Sequence, residues 1–300
     1  MSEGLSIVIP TLGREQVLLE TIEALLGLCR DTDEILLIDQ TEMHEDATTQ
    51  RLLKWEKCGD IRWIRLERPS ITRAMNHGMR VASNSLILFL DDDIRPHTDL
   101  LTAHSKAHEI DGDLWATVGQ VIQPWQSPQD IEPPRQLDGL RRDEDFPFHS
   151  TRKSEVQNVM AGNLCVKKEL AESIKGFDEN FQGSAYRFET EFARRVGKAG
   201  GRIQFLGEGG IDHLRVSSGG TRTNGSHLTS ASPRHGVGDH YFALLHAGSA
   251  AEAHAYCIRR VFREVRTKFH LTHPWWIPIK LIGEIRAYFE ARRLIAGEAG

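Results

Sequence analysis

The chain has 300 residues, 40% hydrophobic and 26% charged, which is the composition of a soluble globular protein with one large domain or a domain and an appendage. A formal net charge of -5 and a pI near 6.3 exclude a global nucleic-acid-binding surface, so we expect no nucleic-acid partner. Four widely spaced cysteines show no zinc or redox spacing, and the N-terminal apolar run is too short for a signal peptide or a membrane span. These features predict a cytoplasmic protein.

The first ninety residues alternate between strand and helix patterns. The predicted strands cover residues 5–10, 34–39, 61–66 and 85–90, and the predicted helices cover 14–29, 47–57 and the segment that follows Ser70 as N-cap. This order predicts an α/β fold, a mostly parallel sheet with helices on both faces. No glycine-rich phosphate loop follows the first strand, which disfavours dinucleotide-binding and P-loop folds.

The fourth strand delivers Asp91, Asp92 and Asp93 to one point. Because ligands of open α/β sheets bind at the carboxyl ends of strands, Asp39 at the end of the second strand is expected to share a crevice with Asp91. Carboxylates suit a hard cation such as Mg²⁺ or Mn²⁺, which is usually shared with a phosphate group. The alternative interpretation is a solvated acidic turn that caps the next helix.

A series of short motifs runs in order through residues 4–215. They are Ser6-Ile7-Val8-Ile9-Pro10-Thr11, the strand ending at Asp39, Asn76-His77-Gly78, Leu88-Phe89-Leu90-Asp91-Asp92-Asp93, Gly162-Asn163, Gly176-Phe177-Asp178-Glu179-Asn180-Phe181, and Phe188-Glu189-Thr190-Glu191 with Arg194 and Gly200 beyond it. Together they resemble family 2 glycosyltransferases of the GT-A fold. The resemblance implies a Rossmann-like, mostly parallel sheet flanked by helices, with a C-terminal helical extension.

The same resemblance divides the chain. It implies a catalytic domain over 1–215, with a nucleotide-binding half at 1–95 and an acceptor-side half at 96–215. A flexible loop would cover 216–237 and a helical extension 238–300. An irregular excursion between 123 and 150 is expected near the acceptor side. The loop after His213 is either a lid over the diphosphate, with Arg222 reaching an oxygen, or a plain connection.

The resemblance also implies which residues bind the donor or position the strand ends around it. These are Pro10, Thr11, Asp39, Arg73, Asn76, Asp91 and Asp92. Asp91 would reach the ribose or the phosphates, while the role of Asp92 stays open. Arg73 lies nearly one turn before the position of the usual family arginine, and a solvated helix residue is its alternative. Gln40-Thr41-Glu42 departs from the family pattern after Asp39, so donor recognition is expected to be altered.

Metal and base roles follow in the same way. Asp93 would hold Mn²⁺ or Mg²⁺ against the donor diphosphate, and His213 would complete the metal site. Glu189 stands at the usual position of the catalytic base, with Glu191 in place of the usual second aspartate. Glu189 would take the proton of an acceptor hydroxyl in a single displacement with inversion. The alternative role for both glutamates is that of helix N-terminal carboxylates stabilised by the macrodipole, and the two roles are compatible.

The expected function is metal-dependent transfer of a sugar from a nucleotide-sugar donor, a UDP-sugar first of all, to a glycan or lipid-linked acceptor. One alternative is a sugar-phosphate nucleotidyltransferase, although its glycine-rich N-terminal loop is missing. The other alternative is a non-catalytic, membrane-associated or glycan-binding module of the same fold.

The C-terminal region is helical and basic. From Ile258 onward nine lysines and arginines face four glutamates, a balance of +5, and Trp275 and Trp276 lie between two helical stretches. Such helices suit peripheral contact with the inner face of a membrane. The alternative is a helical pair packed on the catalytic domain, with buried tryptophans and solvated arginines.

Overall fold

The computed structural model of the chain describes residues 3–133, 139–141, 146–216, 219–220 and 226–297. Parts of the two predicted loops, including Arg222, lie outside these residues. The strands are β1 (Leu5–Thr11), β2 (Glu34–Asp39), β3 (Arg62–Arg65), β4 (Leu86–Leu90), β5 (Ile94–Pro96), β6 (Leu114–Val118), β7 (Val121–Ile122), β8 (Ser154–Glu155), β9 (Asn163–Lys167), β10 (Arg202–Phe205) and β11 (Ile211–His213).

The helices pack on both sides of these strands and continue to the end of the described chain. They are α1 (Gln16–Leu26), α2 (Asp46–Cys58), α3 (Ile71–Val81), α4 (Leu100–Ile110), α5 (Lys168–Ser173), α6 (Phe188–Lys198), α7 (Val237–His246), α8 (Ala250–Val265), α9 (Lys268–Thr272) and α10 (Ile277–Ala296). The strands and helices predicted for the first ninety residues are all present, which confirms that part of the prediction. Ser70 caps α3 by accepting a hydrogen bond from the backbone N–H of Arg73.

The main sheet has the strand order β3-β2-β1-β4-β9-β6-β10-β8. Its first four strands are mutually parallel, whereas β9 runs antiparallel to both of its neighbours. The carboxyl ends of β1, β2 and β4 therefore meet the start of β9 at one edge of the sheet. The predicted mostly parallel sheet flanked by helices is confirmed.

Alternation along the buried strands explains the two layers of helices. In β1, Leu5, Ile7 and Ile9 face a core shared with α1, α2 and α4, while Val8 faces a core shared with α3. A side chain at Gly78 of α3 would place its Cβ 2.3 Å from Val8 Cγ1. The glycine therefore allows α3 to pack directly on β1.

A second sheet of three short strands, in the order β5-β11-β7, lies beyond the end of β4. Its register places His213 opposite Ile94, the residue that follows the aspartate triplet. The backbone N–H of Leu214 also donates to the carbonyl of Asp93 at 2.8 Å. This pairing joins Ile94 and His213, which are 119 positions apart by residue number.

The C-terminal helices share the core on the α3 side of the main sheet. Phe242 of α7 and Ala287 of α10 are fully buried in it together with Phe177 and Phe181. These helices therefore pack on the rest of the protein, as the packed-helix alternative predicted, but Trp275 is 63% exposed and not buried. Among the described helices, none combines the length and the apolar character that crossing a membrane demands.

Candidate active site

A cleft of about 1230 Å³ opens at the carboxyl ends of the parallel strands. Seven of the sequence-predicted residues line it, namely Pro10, Arg73, Asp91, Asp92, Asp93, Glu189 and His213. Thr11, Asp39 and Asn76 lie buried around the cleft and hold its walls. Residues that are far apart in the sequence, from Pro10 to His213, therefore surround one cleft.

One wall of the cleft carries a cluster of potential metal ligands. Asp91, Asp93 and His213 each offer one ligand atom, and these atoms lie within 4.8 Å of one another. His213 Nε2 is 3.2 Å from Asp93 Oδ1 and 3.7 Å from Asp91 Oδ2. Asp91, which the sequence placed toward the nucleotide, thus belongs to the same cluster as the two predicted metal residues.

The orientation of His213 is fixed from behind by Gln123. His213 Nδ1 lies 3.1 Å from Gln123 Oε1, so this nitrogen donates to the amide oxygen, and the ring is oriented with Nε2 toward the two carboxylates. An imidazole held in this way by a hydrogen bond to its second nitrogen is the usual arrangement of a metal-binding histidine.

Local backbone packing leaves room for Asp91. A side chain at Gly162 would place its Cβ 2.3 Å from Asp91 Oδ2, so a larger residue beside the start of β9 would displace this carboxylate. Two carboxylates and one neutral imidazole form a mixed oxygen and nitrogen set that suits Mn²⁺, and Mg²⁺ less well because it prefers oxygen. The residues present therefore fit a divalent cation.

Asp92 has a different role, which the sequence left open. It is 6% exposed, accepts a hydrogen bond of 2.7 Å from Thr11 Oγ1, and pairs with Arg14 Nε at 3.1 Å. Arg14 NH2 lies 3.1 Å from Asp93 Oδ2, so one guanidinium bridges two of the three aspartates. Asp92 therefore ties the end of β1 to the metal cluster.

The protonation of the two buried aspartates follows from these contacts. Burial raises the pKa of Asp92 to about 6, against the opposing effects of Arg14 and Thr11. Burial also acts to raise the pKa of Asp93, but the hydrogen bond and charge of His213, followed by the charge of Arg14, lower it overall. The Asp93 carboxylate is thus kept ionised, as a metal ligand must be.

Asp39 is fully buried beside the cleft, and its carboxylate oxygens bond to the protein. Oδ1 accepts from the backbone N–H of Thr41 at 2.8 Å, and Oδ2 accepts from Trp63 Nε1 at 2.8 Å. His44 Nε2 lies 3.0 Å from the same Oδ2. This network shapes the loop after β2, from which Gln40 reaches the cleft lining.

Asn76 fastens the acceptor-side segment to α3. Its Nδ2 donates to the carbonyl of Phe177 at 2.8 Å and its Oδ1 accepts from the backbone N–H of the same residue at 2.8 Å. Glu179 takes a further bond from Asn76 and lies 3.4 Å from Arg73 Nε. Asn76 therefore positions the wall of the cleft, and Arg73, paired with Glu179, forms part of its surface.

Glu189, in the first turn of α6, also lines the cleft. Its side chain opens onto the cleft but is otherwise surrounded by protein, and its Oε1 accepts a hydrogen bond from the backbone N–H of Ala161. This burial raises the pKa of Glu189 from its ordinary 4.5 to about 7, the bond from Ala161 opposes the rise, and the charge of Asp91 adds to it. A carboxyl with a pKa near neutrality is suited to general base catalysis.

Glu191, two residues later, is held quite differently. It is 1% exposed and pairs with Arg195 at 2.6 Å, while His246 Nε2 of α7 lies 3.5 Å away. Burial acts to raise the pKa of Glu191, but the hydrogen bonds from His246 and Arg195 lower it below 4.5. Glu191 is therefore a structural ion-pair partner, whereas Glu189 faces the cleft.

The turn before α6 has an uncommon backbone. Ala185 and Arg187 have φ angles of +49° and +78°, in the left-handed region that favours glycine. Arg187 Nε pairs with Asp239 Oδ1 of α7 at 3.1 Å, and its NH2 donates to Tyr256 of α8 at 3.0 Å. The C-terminal helices thereby fix the residue that leads into Glu189.

Sequence reasoning missed several residues of this site. Arg14, Gln123 and Arg187 join the catalytic segments through side-chain contacts across long sequence distances. The aspartate triplet is the one signal that the sequence offers, because three carboxylates at a buried strand end require a positive group nearby. That group is Arg14. No local pattern indicated Gln123 or Arg187.

Comparison with known proteins gives concordant results. The family model described as glycosyl transferase family 2 matches residues 6–161, which is more than half of the chain. A search of curated protein sequences found no match.

The solved structures that resemble the chain include the following two. GalNAc-T7 with UDP, GalNAc and Mn²⁺ matches at 15% identity with a TM-score of 0.58, over 70% of this chain and 43% of that one. This chain thus spans less than half of that protein. The mannosyltransferase PcManGT from Pyrobaculum calidifontis, in complex with GDP-Man and Mn²⁺, matches at 17% identity with a TM-score of 0.56, over 100% of this chain and 80% of that one.

At these identities the two structures show the fold alone, which is the GT-A fold implied by the motifs. The family match rests on the sequence and includes the strands that end at Asp39 and Leu90 and the aspartate triplet. The chain belongs to glycosyl transferase family 2.

Proposed function

We propose that this protein is a metal-dependent, inverting glycosyltransferase that moves a sugar from a nucleotide-sugar donor to the hydroxyl of a glycan or lipid-linked acceptor. The observation that carries the proposal is that Glu189 and the cluster of Asp91, Asp93 and His213 line the same cleft. A base and a diphosphate-binding cluster in one cleft are what a direct displacement at a sugar carbon requires.

The donor would lie along the carboxyl ends of the parallel strands, with its base and ribose near Pro10 and Gln40. We expect a UDP-sugar. The two structural neighbours were solved with UDP and GDP-Man, so the fold accommodates both nucleotides. Gln40 donates toward the carbonyl of Thr11 and accepts from the backbone N–H of Ser70, which makes it a candidate determinant of donor choice.

The cluster would hold Mn²⁺ or Mg²⁺. When bound, such an ion supplies the positive charge that stabilises a leaving nucleoside diphosphate, an effect worth several kcal/mol. The protein prepares for this by keeping Asp93 ionised and by orienting Nε2 of His213 toward the carboxylates. Arg14, which pairs with Asp92 and Asp93, offsets part of the negative charge of the aspartate triplet.

Glu189 would act on the acceptor. The acceptor oxygen attacks the anomeric carbon, the bond from that carbon to the phosphate oxygen breaks, and the acceptor proton passes to Glu189. Attack from the side opposite the leaving diphosphate inverts the anomeric configuration. The raised pKa of Glu189 favours this proton transfer, because a base with a pKa near the working pH is ionised yet still basic.

Space for the acceptor lies between α3 and the turn before α6. Arg68 and Arg73 line this part of the cleft on one side, and Tyr186 and Arg234 line it on the other. An open, polar wall of this kind suits a sugar or a phosphorylated carrier. Polysaccharide biosynthesis in the cytoplasm is the setting that such an activity predicts.

The test is to incubate the protein with UDP-, GDP- and dTDP-sugars and a panel of glycan and lipid-linked acceptors, with and without Mn²⁺, and to follow release of nucleoside diphosphate. The proposal predicts metal-dependent release that requires an acceptor. Absent or metal-independent turnover with every donor would overturn it. Turnover of a nucleoside triphosphate with a sugar phosphate would favour the nucleotidyltransferase instead.

A further inference from the structure

The outer face of α10 carries apolar side chains that no other part of the described structure covers. Ile282, Ile285 and Phe289 are 51%, 53% and 56% exposed. Their spacing of three and four residues aligns them in one stripe along the helix, opposite the buried positions Glu284 and Ala287.

The charged residues of α10 are distributed unevenly between its faces. Arg286, Arg292 and Arg293 are exposed, as are the three apolar side chains of the stripe. Of the two glutamates on this helix, Glu284 is 1% exposed and bonded to partners inside the protein, and Glu290 lines the cleft. The outward face of α10 therefore combines apolar groups with cations and includes neither glutamate.

Exposed apolar groups also precede α10. Leu271 at the end of α9 is 71% exposed, and Trp275 in the following turn is 63% exposed. A tryptophan ring with one polar edge is well suited to the level of lipid headgroups. Soluble surfaces rarely leave so many large apolar side chains open in one continuous segment.

We propose that the outer face of α10 rests on an anionic lipid surface, with the apolar stripe in the acyl boundary and the arginines among the phosphates. Charge decides between this occupant and a second copy of the chain. A symmetric dimer through the face would bring Arg286, Arg292 and Arg293 of both copies together with no carboxylate from this face to pair with them. Anionic lipid supplies the missing negative charge.

Docking in this orientation places the active-site cleft beside the membrane. Glu290, which lines the cleft, follows Phe289 directly on α10. A lipid-linked acceptor would then reach Glu189 without leaving the bilayer surface. The attachment itself requires neither catalysis nor a particular acceptor, so it holds or fails separately from the proposed activity.

The experiment is sedimentation of the full-length protein with vesicles of equal parts phosphatidylglycerol and phosphatidylcholine, and with vesicles of phosphatidylcholine alone, at low and high salt. We expect cosedimentation with the anionic vesicles at low salt and its loss at high salt. The Ile282→Ser/Ile285→Ser/Phe289→Ser variant should lower the partition coefficient by more than about tenfold. Arg292→Gln/Arg293→Gln should lower it about fivefold for each arginine removed.

Matched controls separate this face from a general effect of hydrophobicity or charge. Ile110→Ser removes a side chain that is 70% exposed on α4, and Lys54→Gln/Lys57→Gln removes two exposed charges from α2. Both controls should bind as the unaltered protein does. Each variant is checked for an unchanged far-ultraviolet spectrum and melting temperature.

The proposal is overturned if the unaltered protein stays in solution with anionic vesicles at low salt. It is equally overturned if the controls and the α10 variants bind alike. A dimer in light scattering that the triple variant dissociates, without vesicle binding, would instead assign the face to a second copy of the chain.

Discussion

Two glutamates stand two residues apart in the first turn of α6, and the structure predicts opposite consequences for them. Glu189 faces the cleft with a pKa raised to about 7, whereas Glu191 is ion-paired with a lowered pKa. The substitutions Glu189→Gln and Glu191→Gln are nearly isosteric and remove one charge each. They are therefore matched probes of the assignment of the catalytic base.

For activity, Glu189→Gln should lower kcat about 10²–10⁴-fold, the range that a positioned general base contributes. The glutamine still accepts the hydrogen bond from Ala161, so donor affinity should stay within a factor of about two. Glu191→Gln should leave the pH dependence of kcat unchanged, because its carboxylate bonds to Arg195 and does not line the cleft.

For stability, the ionised carboxylates of Glu189 and Glu191 have effects of opposite sign on the free energy of unfolding. A carboxyl with a folded-state pKa above its unfolded value is protonated in the folded protein over pH 4.5 to about 7, so the folded protein loses stability as pH rises through that window. Above pH 7 the ionised Glu189 lowers the free energy of unfolding by at most about 3 kcal/mol, and solvent in the cleft reduces this effect. Glu189→Gln removes it. The metal-free Glu189→Gln protein should thus be more stable than the unaltered protein at pH 8 and equal to it near pH 4.

Glu191 has the depressed pKa, so its contribution is present above about pH 4.5 and is lost as pH falls through its folded-state pKa. Glu191→Gln should cost roughly 3 kcal/mol at pH 8, because it leaves the buried side of Arg195 without its carboxylate. Urea unfolding at pH 4 and pH 8, in the presence of EDTA, measures all four values.

Transfer rates supply the second readout. Well below pH 7 the transfer rate should rise tenfold for each pH unit. A cation in the neighbouring cluster should move the inflection of this profile to lower pH. The reasoning is refuted if Glu189→Gln turns over normally, or if it is less stable than the unaltered protein at pH 8.

Three further predictions concern the supports of the site. Gln123→Leu should weaken Mn²⁺ binding about tenfold by releasing the ring of His213, and His213→Ala should weaken it further, both measured by titration calorimetry. Gly162→Ala should displace the carboxylate of Asp91 and lower metal affinity with little change in the circular dichroism spectrum, and an unaltered affinity would contradict the packing argument. Asp239→Asn should destabilise the protein by about 3 kcal/mol in urea unfolding because two buried arginines lose their common partner, and a neutral effect would show that the α7 contact is dispensable.

The sequence predicted most of the parallel half of the sheet because β1, β2 and β4 are buried and read as largely apolar runs between helical patterns. It predicted the Asp93 and His213 pair only through the family resemblance. The physical reason for their proximity is the pairing of β5 with β11, two strands of three residues each that carry almost no pattern of their own.

Other features depend on tertiary contacts that no local pattern records. The sequence left the role of Asp92 open, and the structure bonds this residue to Thr11 and Arg14. The turn that aims Glu189 is held by Asp239, more than fifty positions later by residue number. The sequence showed the basic character of the C-terminal helices but not which side of α10 faces outward.

The most direct test of the central claim is a time course of nucleoside diphosphate release from UDP-sugars with an acceptor panel, run with Mn²⁺ and with EDTA for the unaltered protein and for Glu189→Gln and Asp93→Asn. We predict that the unaltered protein releases nucleoside diphosphate with Mn²⁺ but not with EDTA. Neither variant should release it, and of the two variants only Glu189→Gln should still bind the donor. Release that continues in EDTA, or in Glu189→Gln at the rate of the unaltered protein, would contradict the account.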